Sequence, residues 1–284
     1  MAITTTSDLN GLYNEIYERA IFVLRESNLM VQLVSNYSAN NFYTRNMTTR
    51  GQFTVETVAE GVDYANAQSF GKSLVGTLTP QERMIQAVIT DIEIMNDPDN
   101  TVADASQEMG AGMAAKVDTD LLGVFSSFTT DIGSAGSAAT ISKIAAGISI
   151  LQTRQALQDG VINVVLHPYA WHDIWVLLGQ PVVSQAFLGD LANQALKDYF
   201  VGSWLNARWF TSANISVDGS DDVINGIFTQ SSIAFDSRIA PYMENERDAS
   251  LRATEMNFVS AYACGLGKRP TFGVKYTTDA SVPS

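Results

Sequence analysis

Hydrophobic and polar positions alternate along residues 52–60. Phe53, Val55, Thr57 and Ala59 fall on one side, and Gln52, Thr54, Glu56 and Glu60 on the other. This is the period of a half-buried strand. Residues 61–66 supply a polar turn, and Phe70, Leu74 and Leu78 then alternate with Ser69, Gly71, Ser73 and Thr77 on the way back. The pattern predicts a β-hairpin arm over 52–78. An isolated hairpin is marginal in water, because it buries too little surface to offset chain entropy. Such an arm needs a second surface, either its own domain or a neighbouring subunit.

Elsewhere the pattern predicts both helices and strands. Ser7 and Asp8 can cap an amphipathic helix with Leu9, Leu12, Ile16, Ile21 and Leu24 on its apolar stripe, and residues 36–50 read as a polar, irregular connection. Residues 84–95, with Ile85, Val88, Ile89, Ile92 and Ile94, predict a buried strand or short strand pair, broken at 96–100. Thr101 to Asp104 is a capping-box pattern. Behind it, Met109, Met113, Val117, Leu121, Val124, Phe125 and Phe128 recur every three or four residues. They predict a helix of roughly 35–40 Å.

The Gly- and Ser-rich residues 133–139 mark a candidate domain boundary. Beyond it Thr140 opens a helix carrying Ile141, Ile144, Ile148, Leu151 and Leu157, with Gly160 as its C-terminal glycine. Residues 161–166 read as a short, mostly apolar strand, and Pro168 opens the next helix. A helical stretch at 190–200 and strands near 208–210 and 225–228 complete an α/β region. Long strands at 239–244 and 251–265 follow, the second with Met256, Phe258, Tyr262 and Cys264 on one face. A last strand carries Phe272, Val274 and Tyr276.

At 284 residues, 46% of them hydrophobic, the chain can bury a substantial core. Its 30 acidic and 17 basic residues give a net charge of -13, which argues against gripping nucleic-acid phosphates or an anionic membrane surface. The basic residues are scattered, and Lys268-Arg269 is the one adjacent pair. With Cys264 as the single cysteine no internal disulfide is possible, and a reducing compartment is expected. No signal pattern opens the chain and no apolar run approaches the ~20 residues that span a bilayer.

The search for chemistry predicts no catalytic residue, metal ligand or cofactor site. His167 and His172 lie five apart without a neighbouring ligand cluster, so capping and packing at a strand-to-helix junction is the expected role. Gly110-Ala111-Gly112-Met113-Ala114-Ala115 matches a dinucleotide fingerprint in letters only, because its glycines fall inside the long helix and favour close helix packing. Residues 265–267 read as a turn, and Cys264 as a small buried hydrophobe. Residues 218–222 lack the bidentate Glu of a calcium loop and read as a solvated turn. The charged run with Glu244, Glu246, Arg247 and Asp248 is an ordinary strand end within one chain. Between chains such charges set register.

Several stretches, taken in order, carry a resemblance. They are residues 52–61 with Val58-Ala59-Glu60-Gly61, then Ser69-Phe70-Gly71, then Leu78-Thr79-Pro80, then 88–95, with Asn163 to Pro168, Gly226 to Thr229 and Phe235 to Arg238 downstream. Together they resemble the major capsid proteins of tailed bacteriophages with the HK97-type fold. The resemblance implies an α+β subunit of four parts: an N-terminal arm at 1–46, an extended loop at 47–80, a peripheral domain at 81–134 and 238–284 with a long spine helix, and an α/β axial domain at 135–237. It implies a non-enzymatic protein that self-assembles through hexamers and pentamers into an icosahedral shell around phage double-stranded DNA. Assembly in the host bacterial cytoplasm and location in the virion follow. A separate scaffolding protein, a portal and a decoration protein are implied partners, with no membrane and no sequence-specific contact to DNA. The acidic charge suits a shell that encloses DNA without adhering to it.

In the family the extended loop lies over a neighbour, so Phe53, Val55, Phe70, Lys72 and Leu74, with Glu244, Glu246 and Arg247, are the expected interface residues. Some members crosslink an arm Lys to a neighbour's Asn. Lys72 is the arm's one lysine and Asn257 lies in the tail strands, with no motif-level match for the crosslink. The alternative is an encapsulin-type nanocompartment, which shares the fold, encloses protein cargo and uses an interior groove involving the N-terminal helix.

Overall fold

The structure is a computed structural model that describes residues 29–51, 53–96, 101–179 and 203–283. The expected N-terminal helix and the helical stretch at 190–200 lie outside the described residues. The described chain runs through α1 (Met30–Leu33), β1 (Ser35–Ser38), β2 (Arg45–Arg50), β3 (Lys72–Leu78), β4 (Gln81–Thr90), α2 (Asp91–Asn96) and α3 (Thr101–Gly123). It continues with α4 (Ile141–Thr153), β5 (Ile162–Leu166), α5 (Pro168–Gly179), β6 (Ser203–Trp204) and β7 (Ala207–Thr211). The last elements are β8 (Asp222–Phe228), β9 (Ile233–Asp248), β10 (Ala253–Leu266) and β11 (Gly273–Asp279).

Two sheets organise these elements. The first has the order β1-β9-β10-β4, with β1 parallel to β9 and the other pairs antiparallel. The long helix α3, about 35 Å over its 23 residues, packs on this sheet. Met109 and Met113 meet Ile89, Met256 and Phe258 there, all of them buried. The second sheet has the order β11-β8-β5-β7-β6 and packs with α4 and α5 through Ile144, Ile148, Leu151, Trp171 and Ile174.

Strand β5 shows why its sequence, Asn163 apart, is an apolar run. Ile162, Val164 and Leu166 join the cluster with α4 and α5. Val165, on the opposite face, joins a second cluster with Leu121, Phe125, Phe128 and Tyr262. A strand covered on both faces has no solvent side to mark with polar residues. The second cluster also ties the end of α3 to both sheets, since it contains Phe228 of β8 and Ile233 of β9. There the Phe125 ring lies flat on Gly226, where an added Cβ would stand 2.6 Å from the ring.

Several sequence expectations need correction. The arm's first strand is not residues 52–60. The ladder joins β2 to β3, so the stretch read as an irregular connection holds β1 and β2, and 53–71 is extended without a ladder. Pairing forms where the hairpin lies on the body and stops where no described residue supports it. Residues 84–95 are not one buried strand. β4 is a sheet edge with Met84 and Val88 exposed, and the chain turns helical at Asp91. The cause is Thr90, whose Oγ1 accepts the Glu93 N–H at 3.3 Å in a Thr-x-x-Glu capping arrangement. Helix α4 ends at Thr153, because Gln155 takes the left-handed conformation (φ 60°), and Leu157 is exposed in a following 3-10 turn. The last strand, β11, joins the second sheet beside β8 rather than the long tail strands.

Candidate assembly interface

The extended loop has a root and a distal half of opposite character. At the root, Met47 and Leu78 are buried against Ala234 and Ala263 of β9 and β10. Arg45, the first residue of β2, donates from Nε to Asp236 Oδ2 at 2.8 Å and from Nη2 to Oδ1 at 3.3 Å. Asp236 is fully buried and also accepts from Arg238, whose other Nη donates to Asn41 O and Oδ1 at 2.8 and 2.9 Å. Two guanidinium groups thus share one buried carboxylate, and the loop leaves the body at a fixed point. A buried charge must be paired in this way to be tolerated at all.

The distal half has no such support. Every described residue from 53 to 71 is exposed except the half-buried Gln68. Its two limbs are held by side chains instead of a ladder. Gln68 Oε1 accepts the Thr54 N–H at 2.8 Å while its Nε2 donates to Thr54 O at 2.6 Å, and Asn66 donates to Glu56 at 3.0 Å. Phe53 and Phe70 stack on each other at 4.9 Å, with the Arg50 guanidinium 5.0 Å over Phe70. At the tip Gly61, with φ at +77°, makes the reversal, and the Val62 N–H donates to Ala59 O at 3.2 Å.

The loop candidates therefore separate. Phe53 and Phe70 meet each other while remaining 60% and 47% exposed, Val55 is 98% exposed, and Leu74 projects from β3 at 62%. Lys72 sits at the start of β3, on the rim of a cavity beside the root. In the charged strand end, Glu244 accepts the Tyr242 hydroxyl at 3.1 Å, and Glu246 is exposed opposite Glu255 of β10. Arg247 donates to both Asp91 oxygens at 2.7 and 2.6 Å, so the Asp91 carboxylate titrates below the usual range chiefly through those hydrogen bonds. Asn257 is half-buried, and its Oδ1 has no hydrogen-bond partner among the described residues.

His167 lies at the β5–α5 junction. Its N–H donates to Asn225 Oδ1 at 2.8 Å and its Nδ1 accepts the Tyr169 N–H at 3.3 Å, which is capping chemistry, and burial lowers its pKa. Gly112 lies inside α3, where an added Cβ would stand in ordinary contact, 3.5 Å, with Ile85. Asp218 Oδ1 accepts from Ser220 and Asp222 N–H groups in an exposed turn. Burial pushes the Cys264 thiol up to about 12. Among the described residues no group of three or more His, Cys, Asp or Glu is placed to hold a metal ion, and no helix is long and apolar enough to cross a membrane.

Sequence reasoning missed Arg45 as a site residue and gave Asp236 and Arg238 no role. The usable signal was their spacing: two residues apart on one strand, an Asp and an Arg share a face, and an acid-base pair inside an otherwise apolar strand marks an anchored position.

A long helix laid on a four-stranded sheet, a second α/β layer and an extended loop are the parts of an HK97-type shell subunit, an α+β structural protein. Residues 85–276 match the family model described as phage capsid protein. The chain belongs to that family and is a structural capsid protein of the multimeric virion shell. Comparison with curated protein sequences yields no match. Among solved structures the chain is similar to that of Mycobacterium phage Che8 at 21% identity and TM-score 0.65, covering 82% of this chain and 84% of that one. It is similar to the asymmetric unit of the bacteriophage PhiM1 mature capsid at 14% identity and TM-score 0.66, covering 90% and 88%. A virus-like particle from Pyrococcus furiosus matches at 10% identity and TM-score 0.55, covering 93% and 98%.

Proposed function

We propose that this chain is a major capsid protein whose copies form hexamers and pentamers of an icosahedral shell around phage double-stranded DNA, clasped by the extended loop. The observation that carries the reading is the distal half of that loop. It displays Phe53, Val55, Val58, Val62, Tyr64 and Phe70 to solvent, an arrangement that a monomer has no use for and that a neighbouring copy would cover. The proposed subunit parts are the arm at 1–46, the loop at 47–80, the peripheral domain at 81–134 and 238–284, and the axial domain at 135–237. The second sheet recruits β11 from the tail, which ties the last two parts together. Glu244, Glu246 and Arg247 remain proposed contact residues at the peripheral rim.

A shell this acidic would repel the packed DNA it encloses, and it acts by holding together, without catalysis. Scaffolding, portal and decoration proteins are proposed partners, and the host bacterial cytoplasm the proposed place of assembly. A protein-cargo nanocompartment shares the fold, but the matched family is that of phage capsid proteins, which favours the DNA-filled shell.

Sizing and imaging the purified chain tests this. Shells or capsomer rings are expected, and a stable monomer of 30.8 kDa would sink the reading. Deleting residues 61–66 is expected to abolish shells while moving the subunit's thermal midpoint by less than about 2 °C, since the excised tip buries nothing. Unchanged assembly after the deletion would show that the loop is no clasp.

A further inference from the structure

A cavity of about 820 Å³ opens between the loop root, the end of α4 and the β10–β11 connection. Its wall carries Arg50, Lys72, Arg154, Lys268 and Arg269, five of the 17 basic residues in a chain of net charge -13. Among the described residues none of the five forms an ion pair. The other arginines and lysines that do pair, at 45, 83, 116, 238, 247 and 252, are met by Asp91, Asp120 or Asp236. The cavity cations are held by other means. Arg154 donates to Thr271 O at 2.7 Å and to Thr130 Oγ1 at 2.8 Å. Arg269 lies 5.2 Å over the Phe272 ring, and Lys268 5.7 Å over Tyr37. Carbonyls and aromatic faces position a cation without neutralising it, so the cavity keeps its positive charge.

The same loop that rises from this cavity ends in the opposite charge. Between Arg50 and Lys72 the chain has Glu56, Glu60 and Asp63 and no basic residue. All three acids are exposed, and Glu60 and Asp63 form no ion pair among the described residues. Ten residues separate Arg50 from Glu60, a reach of at most roughly 35 Å. The tip cannot fold back into the cavity at its own root, because both limbs run outward together, joined by Gln68 and by the Phe53–Phe70 stack.

We infer that the basic cavity receives the acidic loop tip, Glu56 to Asp63, of a second copy of this chain. The inference rests on the clasp reading above and supplies its missing receptor. Each copy offers a tip and a separate cavity, so the contact is head-to-tail and closes into rings or extends across a shell. Complementary charge would set partner and register, while Val58, Val62 and Tyr64 add the buried area. The contact is also sensitive to ionic strength.

A charge exchange in the full chain tests it. E60K/D63K and K268E/R269E are each expected to lower the yield of shells or rings at least ~10-fold, and their combination to restore it, because one favourable pairing replaces another. All these side chains are exposed, so each variant is expected to keep the parent's circular dichroism, with at most the small melting shift that loss of the Lys268–Tyr37 and Arg269–Phe272 ring contacts brings. As a second readout, E60C/K268C shells under oxidising conditions are expected to give covalent multimers on a non-reducing gel, and either single variant none. Failure of the combination to recover assembly, with the 61–66 deletion still abolishing shells, would overturn the cavity as receptor and leave the clasp standing. Intact assembly in the deletion would overturn both. Normal shells of K268E/R269E with a reduced nucleic-acid content would assign the cavity to nucleic acid and also overturn the inference.

Discussion

Two extended segments of this chain, strand β5 and the distal loop, hold their valines in opposite surroundings. All five residues of β5 are buried, with Val164 and Val165 facing two different clusters. In the loop Val55 is 98% exposed, and Val58 and Val62 stand in solvent with it. Apolar residues in an extended chain state a need for cover. They do not state which chain supplies it. β5 is covered by helices of its own subunit, whereas among the described residues the distal loop has its own Phe53–Phe70 stack and no core beneath it.

The largest effect is expected where these two regimes meet, at Asp236. Replacing it with Ala strands Arg238, whose side chain is 3% exposed, and frees Arg45 from the loop root. Removing one partner of a buried pair costs about 3–5 kcal/mol. Asp236→Ala is therefore expected to lower the urea midpoint of the dispersed subunit strongly and to abolish shells. A midpoint close to the parent's would show that the root is held by Met47 and Leu78 alone. Asp236→Asn, which can still accept hydrogen bonds from one guanidinium, is expected to recover part of the loss.

The sequence made the interior legible and the loop only half so. β5, the long helix and the tail strands were readable because their periodicity answers to neighbours in the same chain: Met109 and Met113 sit one turn apart on α3 because Met256 and Phe258 are beneath them. The loop's alternation was equally clear, but residues 53–60 join no strand ladder among the described residues, and the ladder formed at Arg45–Arg50 instead. There Met47 is the single apolar residue, too little to give an alternating signal. Ile92 and Ile94 misled in a different way. They extend an apolar strand pattern, yet the Thr90 cap starts a helix that leaves Ile92 65% exposed. The basic cavity was invisible, since Arg50, Lys72, Arg154 and Lys268-Arg269 are far apart in sequence and only the fold gathers them.

Trimming one valine in each regime sharpens the contrast. Val165→Ala removes two methyls from a fully buried site shared with Phe125 and Leu121. The lost transfer free energy and the residual void are expected to cost on the order of 2 kcal/mol. A urea titration of the dispersed subunit reads this as a lower midpoint at unchanged slope, and the assembled shell should inherit the same weakness.

Val55→Ala is expected to leave the dispersed subunit within about 0.5 kcal/mol of the parent, as an exposed substitution away from any cap or ion pair does. Its effect belongs to the shell. If a neighbour covers the side chain, truncation removes up to about 1.5 kcal/mol per contact, two buried methyl groups' worth, and every copy in the shell repeats the loss. Shells of the variant should then dissociate at lower urea than parent shells while their released subunits unfold together with the parent's. Coincident dissociation would place Val55 in solvent in the assembled state too, and would move the clasp to Phe53, Phe70 and the acidic tip. The two valines thus give separate readouts, one for the fold and one for the contact between copies, and the gap between them measures how much of this loop's structure belongs to another chain.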